Sequence, residues 1–336
     1  MRLRSKAAFA RAVLRYRIRG ARTPIAIAWL VTGRCTTSCS YCRWKDQRAS
    51  EELDPPSALR LIDEMRDAGV LMVSFTGGEP LLREDIGTLI RHAKRRGAVC
   101  KLNTNGDLVA RRLDQLRPLD LLQISLDGPP DVQDGLRGKG SARRAATAIT
   151  LARREGIPVQ AVACLTRDNV DRLDEVLAYA AGLGVRLHVQ PLAPGSEEDG
   201  ALPTRERLVR ALSHLLSLHE SGHPLAGSLG TTPSELRYHH RVHAERLRGC
   251  HCAIVTATVL PDGKMIFCGS ARDPEVHDTR ALGFAEAFKR LTLPDCDGCT
   301  CVGKLRISQV CKLDPATVLD LLFQRPLGGG VRRNPR

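Results

Sequence analysis

Between residues 25 and 191, short apolar runs alternate six times with longer amphipathic stretches. This alternation limits the fold more than any other feature of the chain. The runs at 25–31, 71–75, 99–103, 121–125, 159–163 and 186–190 are largely apolar, as expected of parallel strands buried on both faces. One intervening helix is announced by Asp54-Pro55, a cap residue followed by proline at the first helical position. A second opens on Glu84 and Asp85 and closes on Lys94, Arg95 and Arg96, matching the helix dipole. Others are expected near 109–117, 142–155 and 169–182. Six such units predict an α/β protein whose parallel strands are joined by right-handed crossovers. A barrel built this way carries its chemistry at the C-terminal ends of its strands.

The most chemically informative residues follow the first strand. Cys35, Cys39 and Cys42 are spaced C-x3-C-x2-C in one short loop. Three thiolates on such a loop can hold three irons of a [4Fe–4S] cube and leave the fourth open to a ligand. A cluster built for electron transfer normally has four protein ligands. The competing reading of the triad is a zinc site.

The ends of the next strands carry further candidates. The second run leads to Gly77-Gly78-Glu79-Pro80, where glycines allow close backbone approach. The third leads to Asn103-Thr104-Asn105-Gly106 and the fourth to Ser125-Leu126-Asp127-Gly128-Pro129. Asn-Gly and Asp-Gly are also common turn formers, so simple turns remain the alternative. Taken with the cysteine loop, these strings resemble the radical S-adenosylmethionine (SAM) superfamily. The resemblance implies a partial (β/α)6 barrel. It assigns Cys35, Cys39 and Cys42 to a [4Fe–4S] cluster that reductively cleaves SAM to a 5′-deoxyadenosyl radical. It also implies that Gly77, Gly78 and Glu79 hold the methionine end of SAM, a carboxylate opposite an ammonium. Ser125 and Asp127 offer ribose or carboxylate contacts, and Tyr41 packs near the adenine. Arg137 either reaches the SAM carboxylate or is solvated. Cys100 and Cys164, on expected strands, are read as structural.

Six of the twelve cysteines lie between Cys252 and Cys311, with Cys250 just before them. Cys252, Gly263 and Cys268 have the C-x10-G-x4-C spacing of a hairpin with a cysteine at each end. This resembles the opening of the SPASM/Twitch extension, whose cysteines bind auxiliary [4Fe–4S] clusters. The resemblance implies one such cluster on Cys252, Cys268, Cys296 and Cys299. Cys250, Cys301 and Cys311 remain as ligands of a second cluster or as replacements. The later run departs from the full SPASM pattern, and a structural zinc held by four cysteines stays an alternative. The expected order is a basic amphipathic segment (1–23), a core barrel (24–194), a helical connection (195–249), a small cysteine-rich α+β auxiliary-cluster domain (250–324) and a basic tail (325–336).

Charge and hydropathy narrow the partners. The formal net charge is +14, but residues 1–23 and 325–336 supply twelve of it. The body is nearly neutral, so a nucleic-acid groove is not indicated. No apolar run is long enough to span a membrane, and no apolar segment follows the basic N-terminus as in a secretory signal. A cytoplasmic, reducing location is expected, since a chain of twelve cysteines without an export signal favours metal ligation over disulfides. Residues 4–19 form a basic helix candidate with Phe9, Val13 and Tyr16 on one face, suited either to packing on the barrel or to peripheral contact with a membrane. The first strand begins so early that no leader-recognition domain precedes it. The expectation is therefore a small-molecule, lipid or cofactor substrate, with peptide maturation as the alternative and a reducing partner such as flavodoxin or ferredoxin.

Overall fold

Asp54 begins the first crossover helix as its sequence requires. Its side chain accepts from the backbone N–H of Ser57 at the start of α2 (Pro55–Asp67). The computed structural model describes residues 3–42, 44, 51–192, 200–245, 253–269, 274–292, 309, 311, 312 and 315. Strands β1 (Ala26–Thr32), β2 (Met72–Gly77), β3 (Val99–Thr104), β4 (Leu121–Ser125), β5 (Val159–Leu165) and β6 (Leu187–Pro191) form a parallel sheet, each beside the next. All six expected strands are present, with ends displaced by at most two residues. Helices α3 (Ile86–Arg95), α4 (Val109–Leu116) and α7 (Leu173–Gly182) lie in the expected crossovers.

The crossover after β4 differs from expectation. It contains two helices, α5 (Pro130–Arg137) and α6 (Ser141–Arg154). Pro129 and Pro130 favour a helix start, and Gly138 and Gly140, both at positive φ, break the chain between the two. The extra helix carries Arg137 to the mouth of the barrel.

The core is mainly aliphatic. Trp29 and Phe75, both fully buried, meet at 6.0 Å between ring centroids and join the inner faces of β1 and β2. Helices α8 (Arg205–Glu220) and α9 (Pro233–Glu245) follow the barrel units. The C-terminal hairpin of β7 (Thr256–Val259) and β8 (Lys264–Ile266) belongs to the same sheet as the barrel. β7 runs parallel to β1, with Ala26 beside Thr256 and Trp29 beside Val259. β8 and then β9 (His277–Asp278) add on antiparallel. Gly263 turns the hairpin at φ +85°, where a Cβ would also press on Leu53. The short helices α10 (Thr279–Leu282) and α11 (Phe284–Arg290) complete this part, giving the α+β extension expected.

Helix α1 (Leu3–Arg19) packs Ala12, Val13 and Tyr16 against Ile25, Ala26 and Val255. Val13 and Tyr16 therefore face the body of the protein, and the side chain of Phe9 is outside the described set. Leu14 and Ile18 instead point outward, 58% and 70% exposed. Among the described residues no helix is long and apolar enough to cross a membrane.

Candidate functional site

The cysteine loop leaves the C-terminal end of β1 and is fastened to four other segments. Its stem lies against the end of β2. The N–H of Gly78 donates to Thr32 O at 2.9 Å, and that of Glu79 to Arg34 O at 2.7 Å. A Cβ on Gly78 would lie 2.2 Å from Arg34 O, and one on Gly77 2.3 Å from Thr32 O. The paired glycines are thus required for contact with the loop itself, a use not anticipated from sequence.

The next anchor is the end of β3. Asn105 Nδ2 donates to Thr36 Oγ1 at 2.9 Å, and Thr36 donates to Asp107 Oδ2 at 2.7 Å. The thiols of Cys35 and Cys39 lie 3.4 and 3.5 Å from Thr37 Oγ1. Asn105 Nδ2 is 4.0 Å from Cys35 Sγ. Backbone bonds complete the loop, from Ser40 N to Leu136 O on α5 at 3.0 Å and from Cys42 N to Cys39 O at 3.2 Å.

The last anchor is a buried polar group beneath Tyr41. The phenol donates to Asp127 Oδ2 at 2.5 Å. Arg137 Nε donates to the same oxygen at 2.6 Å, and its Nη2 bonds the phenol oxygen. The guanidinium also stacks over the Tyr41 ring, 5.4 Å from its centroid. Its Nη1 is 3.8 Å from Cys39 Sγ. The other oxygen of Asp127 accepts from the backbone N–H of Cys164 at 2.9 Å. Asp127 is fully buried and Arg137 9% exposed. Burial works against the guanidinium's charge, but Asp127, Tyr41 and Cys39 outweigh it and hold its pKa well above the usual arginine value. Arg137 is therefore not solvated, and Asp127 is occupied by protein partners.

Glu79 is fully buried at the end of β2. Its Oε1 accepts from Leu81 N at 3.1 Å and Thr104 Oγ1 at 2.8 Å, and its Oε2 from Asn105 N at 2.9 Å. Burial pushes its pKa up to about 7, and these bonds only partly counter it. An ionised carboxyl has about four acceptor sites, so room for one further donor remains. Ser125 is half-buried at the end of β4. Around the loop Cys39, Tyr41, Val132, Leu136, Leu192 and Ala201 form an apolar cluster, with Cys42 and Cys164 packed against it. Burial pushes the Cys164 thiol to about 12, and likewise that of Cys100 inside the main core.

The donor set suits an iron–sulfur cube. Three cysteine thiols share one loop, with Cys39 buried and Cys35 and Cys42 half-buried. Among the described residues no three ligating side chains converge on one point. A cube takes one thiolate per iron and so keeps its sulfurs apart.

The auxiliary candidates are only partly visible. Cys250, Cys252, Cys296, Cys299 and Cys301 lie outside the described residues. Cys268 is buried just beyond β8. Cys311 is fully buried among Ala12, Val13, Ile25, Ala26 and Val255, with its thiol pushed to about 12 by burial. Sequence reasoning did not single out Gln133, which fixes the backbone at Asp127 and Ser125, or Arg83, which ties Val31 O and Leu53 O together beneath the loop. A glutamine one turn into a helix after a Pro-Pro start was the available signal for Gln133.

Residues 29–180, which contain the triad loop and the β2, β3 and β4 strand ends, match the model of the radical SAM superfamily. This segment is a radical SAM domain. The chain is 34% identical over 200 residues to the mycofactocin maturase MftC of Mycolicibacterium smegmatis, covering 56% of this chain and 51% of that protein. It is 37% identical over 171 residues to a PqqA peptide cyclase of Ruegeria pomeroyi, covering 48% and 46%. The chain thus spans about half the length of these curated relatives. The likeness of fold reaches further. Streptococcus suis SuiB, solved with its precursor peptide SuiA, matches 90% of this chain and 76% of its own with a TM-score of 0.63 at 15% identity.

Proposed function

We propose that this protein is a radical SAM enzyme that modifies an unactivated carbon of a ribosomally made peptide. The peptide reading replaces the small-molecule, lipid or cofactor substrate expected from sequence. It is carried by the relatives: one is named a peptide cyclase, another a maturase, and the SuiB fold is seen with a precursor peptide.

When bound, an open-iron [4Fe–4S] cluster supplies the electron that cleaves SAM and so provides the hydrogen-abstracting radical. The chain's own residues do the rest. Cys35, Cys39 and Cys42 are the ligands of that cluster. Gly77 and Gly78 set the loop stem at the correct distance, and Glu79 offers its remaining acceptor site to the SAM ammonium. Ser125 offers its hydroxyl to the ribose. Tyr41 and Asp127 hold the loop rather than touch SAM. The apolar cluster around Tyr41 keeps water from the reactive carbon. Cys252, Cys268, Cys296 and Cys299 hold an auxiliary [4Fe–4S] cluster, with Cys250, Cys301 and Cys311 as further candidates. A flavodoxin or ferredoxin supplies electrons.

The test is anaerobic reconstitution with iron and sulfide, followed by dithionite and SAM. 5′-Deoxyadenosine is the expected product, and Cys35→Ala should lose it while retaining auxiliary iron. Absence of the product in the wild type refutes the enzyme reading. A mass change in a short precursor peptide encoded beside this gene supports the peptide substrate. Turnover of a small molecule with the peptide unchanged refutes it.

A further inference from the structure

Arg137 is oriented in a way that cluster binding alone does not require. Its guanidinium is divided between two sides. Nε and Nη2 face Asp127 and Tyr41, while Nη1 faces Cys39 Sγ at 3.8 Å. The Asp127–Arg137 pair is neutral as a whole but is an oriented dipole, with its cationic end toward the sulfur. A surface pair would be screened by solvent and salt. This one is not: Asp127 is fully buried and Arg137 is 9% exposed. Arginine suits the arrangement, because its planar fork can hold a carboxylate on one edge and donate from another. Gln133 holds the backbone N–H of Asp127 at 2.6 Å, and Asn169 its carbonyl at 2.9 Å, so the anionic end is fixed from behind.

We infer that the buried Asp127–Arg137 pair, braced by Tyr41, is a positioning and redox-tuning device. It presents a fixed positive charge to the Cys39 sulfur and raises the reduction potential of the cluster on the triad. The inference rests on the proposed reading that Cys35, Cys39 and Cys42 hold that cluster. Reduction adds one negative charge to a group that already carries thiolates. A positive charge held at a ligand sulfur stabilises the reduced form more than the oxidised one, and hydrogen bonding to cluster sulfurs acts in the same direction. The residue acts through Cys39, without contact to substrate.

The test is an anaerobic redox titration of the reconstituted full-length protein by EPR, without SAM. The relevant signal is the one absent from Cys35→Ala. Arg137→Met should keep wild-type iron content while shifting the midpoint to a more negative value. At the wild-type midpoint the reduced-to-oxidised ratio should fall by about tenfold, ~59 mV for a one-electron couple. Arg137→Lys, which keeps the charge but not the fork, should fall between the two. Because SAM is absent, a residue that only grips SAM gives no shift. If Arg137→Met fails to hold the cluster, Asp127→Asn reads the same dipole from its other end: removal of the anion should shift the midpoint to a more positive value. A cluster assembled at the wild-type midpoint in Arg137→Met overturns the inference, as does a negative shift in Asp127→Asn. Failure of the wild-type protein to assemble any Cys35-dependent cluster overturns the underlying reading instead.

Discussion

Glu79 should make this protein lose stability as the pH rises toward neutrality. Burial pushes its pKa from an ordinary 4.5 to about 7, and the bonds from Asn105, Leu81 and Thr104 offset only part of that. Between those values the unfolded chain has released a proton that the folded chain still holds. The folded state therefore binds more protons, and unfolding becomes easier with each step up in pH. The shift corresponds to about 3 kcal/mol lost between pH 4.5 and 7, with little change above. Glu79→Gln does not titrate. Its carbonyl can still accept from Leu81 and Thr104, but its amide meets the Asn105 N–H donor to donor, costing about 1–2 kcal/mol. The variant should thus be less stable than the wild type at pH 5 and slightly more stable at pH 8. Urea unfolding of the iron-free, reduced protein at several pH values, followed by tryptophan fluorescence, measures both. A stability difference that stays constant from pH 5 to 8 refutes the reasoning. The same proton reports on SAM. An ammonium opposite Glu79 should drive the proton off, so calorimetry near pH 6.5 in buffers of different ionisation enthalpy should show proton release on SAM binding. No buffer dependence would remove Glu79 from the SAM site.

Other regions make independent predictions. Gly78→Ala would bring a Cβ to 2.2 Å from Arg34 O. The cysteine loop must shift, at a cost of about 2–3 kcal/mol, and iron bound after reconstitution should fall; wild-type iron content would contradict the close-approach argument. His239, fully buried on α9, has its pKa lowered to about 3 by burial and by nearby His243. Its stabilising contribution is complete above pH 6.5 and lost as the pH falls, to a total on the order of 5 kcal/mol. Acid unfolding followed by circular dichroism should therefore shift to lower pH in His239→Phe, and an unchanged midpoint would refute this. On α1, Leu14 and Ile18 are exposed beside Arg11, Arg15, Arg17 and Arg19. The protein should sediment with vesicles rich in phosphatidylserine, and Leu14→Glu with Ile18→Glu should abolish this. Failure of the wild type to sediment would refute membrane contact.

The barrel was legible in the sequence because its signals are local. Apolar runs such as 121–125 declare buried strands, and Asp54-Pro55 declares a helix start. The cysteine loop was legible for the same reason, since a chelating set within eight residues needs no tertiary information to be recognised. The crossover at 130–154 was harder to read. Its first helix is short, opens on two prolines and is cut off by Gly138 and Gly140, so its period never accumulates. The hairpin was legible as a hairpin, but its attachment to β1 depends on pairing across more than 200 residues.

The side-chain roles divide along the same line. Sequence by itself determined which groups are present: three thiols on one loop, a Gly-Gly-Glu at one strand end and a Ser-x-Asp at another. Only the tertiary structure decided what each faces. It turned Gly77 and Gly78 toward the cysteine loop, filled three of Glu79's acceptor sites, and drew Asp127 into a buried pair with Arg137, ten residues along the chain. The physical reason is that burial and partner choice are long-range. A carboxylate's chemistry depends on the dielectric and the donors around it, and distant segments supply both.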